Sequence, residues 1–187
     1  MSYPICMMVR SHVDDNHRGG PGVTTLIEAQ SGRSARVAPH STDAEISVLG
    51  SVLMSADAAN VALEKLHAED FYVPAHQLVF EVVQGLFDST QPIDAVTVSE
   101  GLRRDGALDR IGGIEFLTGL IDAVPTTSNI EYYASIVEEH ALRRRLMRVG
   151  ADIGVIAGKT AEPIEEVVDQ AEQAVFAVAE RRVGDGL

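Results

Sequence analysis

The chain has 187 residues, 45% of them hydrophobic, and 15 Lys and Arg against 28 Asp and Glu, a formal charge of −13. Such a charge is repelled by phosphate backbones and argues against a free-standing, nonspecific DNA binder. The single cysteine, Cys6, excludes an internal disulfide framework, and no apolar run approaches the roughly 20 residues that span a bilayer.

Residues 1–37 lack sustained periodicity, contain the run GGPG at Gly19 to Gly22, and read as a flexible tail. Within them HVDDNH sets His12 and His17 around Asp14 and Asp15. These are metal-ligand types, but a ligand set needs fixed geometry and a tail supplies none, so a solvated polar cluster is expected.

From Ser41 the pattern turns helical. Thr42 with Glu45, Thr97 with Glu100 and Ser128 with Glu131 each have capping-box spacing. Ile46, Leu49 and Leu53, with Val48 and Val52, mark the inner side of a first helix, and Val61, Leu63 and Leu66 suggest a second. Pro74 can open a third, with Leu78, Val82 and Leu86 inward and Val79, Phe80, Val83 and Phe87 widening the stripe. Val98 and Leu102 belong to a short fourth helix ended by Asp105-Gly106. Ile111-Gly112-Gly113 is a turn, and Phe116, Leu117, Leu120 and Ile121 form a fifth helix stopped before Pro125. No strand pattern competes.

After Ser128 helical signals run to about Ala157, roughly 45 Å at 1.5 Å per residue. Leu142, Leu146, Val149, Ile153 and Ile156 are spaced four, three, four, three. Ile164, Val168, Ala171, Val175 and Val178 keep the rhythm and make a second row. Two such rows joined by a short loop predict an antiparallel helical hairpin. The expected fold is all-α: a small multi-helix head over 38–127, then a long hairpin over 128–183. Two helices cannot bury all this surface. Tyr133, Ile136 and Val137 are surplus apolar positions, and Gly150 and Gly154 would let another helix approach closely. Self-association is the expectation, with an ordinary intrachain contact as the alternative.

The bend contains GVIAGKT, Gly154 to Thr160, which resembles a phosphate-binding loop. The motif G-x-x-x-x-G-K-[ST] needs its first glycine at 153, where Ile153 stands, and a strand before it. The reading preferred here is a helix ended by Gly158 in the left-handed conformation and a new helix opened by Pro163. Arg143, Arg144, Arg145 and Arg148 could touch nucleic acid. Glu139 four residues before Arg143 favours ion pairs instead, and no aromatic platform accompanies the arginines.

Three segments resemble one family. They are STDAEISVLGSVL (Ser41–Leu53), DFYVPAHQLVFEVVQGLFDSTQPIDAVTV (Asp70–Val98) and IGGIEFLTGLIDAVPTTSNIEYYASIVEEHALRRRL (Ile111–Leu146). Together they look like the N-terminal domain of DnaB-type replicative helicases, over about residues 38–182. The resemblance implies a helical head and hairpin that hold subunits in a collar, a homo-oligomer reaching a hexamer in the parent family, and a surface that docks primase. It places Phe116, Met147 and Ile153 on the primase-facing side. Phe71, Tyr72, His76, Pro92 and Asp94 look structural; no motif positions a nucleophile or carboxylate beside His76, and a general base needs one. His140 stands where the family often has lysine. ATP and Mg belong to a motor domain, DNA is met only through the parent helicase, and residues 184–187 would begin the linker to that motor. The chain by itself is therefore expected to need no cofactor or metal and to carry no enzymatic activity. A cytoplasmic location with no membrane partner is expected. A stand-alone regulator that joins or caps helicase rings is the alternative.

Overall fold

A computed structural model describes residues 37–184, with side chains described up to Ala179. The tail expected over 1–37, with its HVDDNH cluster, falls outside the described residues apart from Val37. Eight α-helices follow: α1 Thr42–Met54, α2 Ala56–Lys65, α3 Pro74–Asp88, α4 Ala95–Arg104, α5 Leu108–Ile111, α6 Gly113–Asp122, α7 Ile130–Ala157 and α8 Ile164–Gly184. A single 3-10 turn, Ala68–Asp70, lies between α2 and α3. No strand occurs among the described residues, so the all-α class is as expected.

The core forms around α1, which packs on α2, α3, α6 and α7. Val48, Leu49 and Val52 are fully buried there, with Phe71, Val79, Phe80, Val83, Val98, Leu102 and Leu117 from the neighbouring elements. Phe71 and Phe80 meet with ring centroids 4.8 Å apart. Gly50 makes the α1–α6 crossing possible: a Cβ there would stand 2.2 Å from the Leu120 carbonyl oxygen. Backbone cannot step aside as a flexible side chain can, so only glycine fits. The apolar stripe of α3 was read one position too wide, since Phe87 is exposed.

The caps differ from the expected boxes. Ser41, not Thr42, caps α1, accepting from the Ala44 N–H at 3.3 Å. Asp94 caps α4, with Thr97 as its reciprocal partner rather than as the cap. Asn129 precedes α7 without a side-chain cap bond, while Ser128 meets the Thr126 hydroxyl at 2.9 Å. In each case the true cap stands at the residue whose backbone is still non-helical, which a spacing rule alone does not locate.

The α7–α8 hairpin is present, but its first helix begins inside the head. Ile130, Ala134, Val137 and Ala141 are buried, and α7 packs on α1 and α2. Packing therefore runs across the boundary expected at 127/128. The bend is also corrected. Gly158 has φ −77°, right-handed, so the helix ends by tightening, with the Gly158 N–H donating to the Val155 carbonyl at 3.1 Å. Glu162 ties the bend down: it meets Lys159 Nζ at 3.3 Å and accepts from Gln170 Nε2 at 3.1 Å. Lys159 thus faces a carboxylate between two helices, and a helix, α7, stands where a phosphate loop requires a strand.

Candidate functional site

The outer half of the hairpin carries a run of exposed apolar side chains. The inner seam of α8 runs through Val167, Ala171, Ala174 and Val178, of which Val167 and Val178 are buried and the alanines half-buried. The predicted row shares only Ala171 and Val178 with it. Ile164, Val168 and Val175 turn outward, at 66%, 48% and 48% exposure, and Phe176 beside them is 61% exposed. On α7 the row fares better, because Leu142, Val149, Ile153 and Ile156 are half-buried, but Leu146, Met147 and Val155 are exposed. The hairpin thus closes on only part of its bulky residues and leaves the rest outside. Ile153, Ala171, Val175, Phe176 and Ala179 line a shallow apolar hollow there, edged by Glu172.

Gly150 and Gly154 are exposed, and nothing within 4 Å would meet a Cβ at either. Among the described residues no helix uses the close approach they permit. The other proposed self-association residues are differently placed. Val137 is 2% exposed and belongs to the head core, and Tyr133 and Ile136 pack against that core. Val137 is therefore corrected to an intrachain contact, and its two neighbours are largely engaged within the chain.

Where α7 leaves the head, a polar network ties it down. Glu45, in the first turn of α1, is 1% exposed. Its carboxylate accepts from the Tyr72 N–H at 2.7 Å and the Val73 N–H at 3.2 Å, and meets His76 Nδ1 at 2.7 Å. Glu45 thus does at the start of α3 what a capping side chain would do, since Val73 has no side-chain cap bond to make. The anion also faces the positive end of that helix. A carboxylate does stand beside His76, contrary to the sequence reading. Both side chains are sealed from solvent, at 2% and 3%, so the pair has no access to a substrate.

Arg144 and Arg145 turn inward. Arg144 donates to the carbonyls of Pro39, at 2.7 Å, and Asp70. Its guanidinium lies 5.7 Å from the Tyr72 ring centroid, and Tyr72 stacks on His40 at 4.0 Å. Burial draws Arg144 below the usual arginine range, and the nearby Glu45 and Asp70 charges oppose that shift. Arg145 pairs with the buried Asp70 carboxylate. Arg143 meets Glu139 at 3.0 Å, as the i,i+4 spacing predicts. The arginine run is thus largely engaged within the chain.

A family model described as the DnaB-like helicase N terminal domain matches residues 37–139. The chain belongs to this family. The solved N-terminal domain of DnaB helicase from Mycobacterium tuberculosis is 46% identical with a TM-score of 0.71, covering 75% of this chain and 99% of that one. The replicative DNA helicase DnaB of Mycobacterium leprae is 45% identical over 152 residues, 80% of this chain and 25% of that protein. A solved DnaB-like replicative helicase, described together with its interactions with primase, is 24% identical with a TM-score of 0.61 over 78% of this chain and 36% of its own; it shows the fold alone. The chain thus spans about a quarter of the length of the Mycobacterium leprae helicase.

Within the DnaB-like domain the three positions expected to face primase stand on two elements, Phe116 on α6 and Met147 and Ile153 on α7. Phe116 is half-buried on α6, its ring 5.9 Å from that of His76. Met147 is 49% exposed on the outer part of α7, and Ile153 is half-buried at the edge of the apolar hollow. Sequence reasoning missed Glu45 as a network residue and Ile164, Val168 and Val175 as surface. The first carried a signal: Glu45 shares the helix face of Val48, Leu49 and Val52, an inner position where an acid demands partners. Among the described residues no helix is long and apolar enough to cross a membrane.

Proposed function

We propose that this domain acts by assembly: it joins further copies of itself through the outer hairpin and presents a docking surface to primase, as the collar part of a replicative helicase in the cytoplasm. One observation carries the reading, the outward row Ile164, Val168 and Val175 with Phe176. Bulky apolar side chains at four- and seven-residue intervals on one helix are the surface that a second hairpin would cover. Covering apolar area is favourable at about 25 cal/mol per Å² before the costs of association. Gly150 and Gly154, with open space above them, would admit a partner helix. The family's helicase–primase structure supports primase as the second partner, and Met147 supplies an exposed, adaptable apolar contact for it. Nucleotide hydrolysis and DNA translocation belong, in this reading, to the remainder of the helicase and not to this domain.

Co-purification tests both halves. A tagged copy should retain an untagged copy and, separately, cognate primase. Val168→Glu with Val175→Glu should abolish retention of the second copy. Retention unchanged by that pair would remove the outer hairpin from the assembly.

A further inference from the structure

We propose that His76, held by Glu45, is a positioning residue for Phe116. The inference deepens the docking reading, because it rests on Phe116 being a partner-facing side chain. His76 is 2% exposed and Phe116 is half-buried at the edge of the head. Their rings lie 5.9 Å apart with planes 29° from parallel, within the range of favourable offset contact. An imidazole could turn about its own bonds, but this one is fixed from behind. Glu45 Oε2 holds Nδ1 at 2.7 Å, and the same carboxylate is itself fixed by the Tyr72 and Val73 N–H groups. The series Val73–Glu45–His76–Phe116 therefore runs from the start of α3 to α1, back to His76 on α3, and on to Phe116 on α6. Charge enters only as the clamp; His76 touches no partner. The resemblance treats His76 as simply structural, whereas the geometry gives it a task at one aromatic ring.

The test uses 4-fluorophenylalanine. The chain has five phenylalanines, and the Phe116 fluorine line is assigned by its loss in Phe116→Leu. The reading is the solvent isotope shift of that line, which reports ring exposure and does not change merely because a neighbouring ring current is lost. Glu45→Gln keeps both rings and removes the anionic clamp. His76→Asn keeps a nitrogen toward Glu45 and removes the ring, and covers the case in which Glu45→Gln fails to fold. In either folded variant the Phe116 isotope shift should change while the lines of Phe87 and Phe176 hold. Primase affinity should fall roughly two- to tenfold, the range an aromatic pair commands. A Phe116 isotope shift unchanged in the folded variants would overturn the positioning role. A changed shift with primase affinity unaltered would overturn its bearing on docking. Wild-type chain without measurable primase affinity would sink the docking reading alone, and the fluorine measurement would still decide the positioning.

Discussion

Individual residues settle several helix ends, and two of them give sharp predictions. The Asp94 carboxylate receives the Thr97 N–H at 2.8 Å and the Val96 N–H at 2.9 Å. The Thr97 N–H chiefly holds it below the usual carboxylate range, against a smaller opposing effect of burial, with the Thr97 hydroxyl and the Val96 N–H helping. A depressed folded value means the stabilisation is present above the ordinary carboxylate range and is lost as pH falls through the folded value. Asp94→Ala should cost about 1 kcal/mol near neutral pH, the usual worth of an N-cap. In denaturant melts of the two proteins that difference should shrink as the pH is lowered toward the folded value. At the C-terminal end of α3, Thr90 has φ +54°, left-handed, and the Gln91 N–H closes back on the Leu86 carbonyl at 2.9 Å. This is a Schellman-type end with a β-branched residue where glycine is favoured. Thr90→Gly should raise the thermal midpoint by a few degrees, on the order of 1 kcal/mol. Glu45 shows what sequence could and could not give at this scale. Its place on the inner face was legible, but its partners lie 27 to 31 residues along the chain. Local capping spacing offered a nearer and wrong explanation.

At the scale of elements, periodicity located the main helices but not which face of α8 turns inward. The expected row 164/168/171/175/178 and the observed seam 167/171/174/178 both obey heptad spacing and share positions 171 and 178. Bulk favoured the first. The structure turns Val167 and Val178 inward with Ala171 and Ala174 between them, and the small side chains at 171 and 174 let α8 lie close to α7. Two neighbouring valines therefore separate folding from assembly. Val167 is 7% exposed and Val168 is 48% exposed. Val167→Asp buries an unpaired charge and should lower hairpin stability by several kcal/mol, seen as lost helicity in circular dichroism. Val168→Asp should leave helicity within error. The short α5 escaped notice because four residues give no periodicity to read. α7 was placed well, but its division between head and hairpin was not, since a single continuous helix carries both buried alanines for the head and larger residues for the hairpin.

For the whole molecule, the helical head is a closed core and the hairpin is an incomplete one. Among the described residues Leu146, Met147, Val155, Ile164, Val168, Val175 and Phe176 stay open on it. The all-α class and the order of elements were readable in the sequence, because each long helix repeats its own pattern. The destination of the outer surface was not, because it depends on which of two seams the chain itself consumes. The central claim is that the open seam is covered by another copy. Light-scattering mass measured across micromolar concentrations tests it most directly, against the single-chain mass of 20.1 kDa. Multiples of that mass for the wild type, collapsing to one chain in the helical but doubly substituted Val168→Glu/Val175→Glu protein, are the predicted result. A wild-type mass of 20.1 kDa at every concentration, or multiples untouched by the two substitutions, would contradict it.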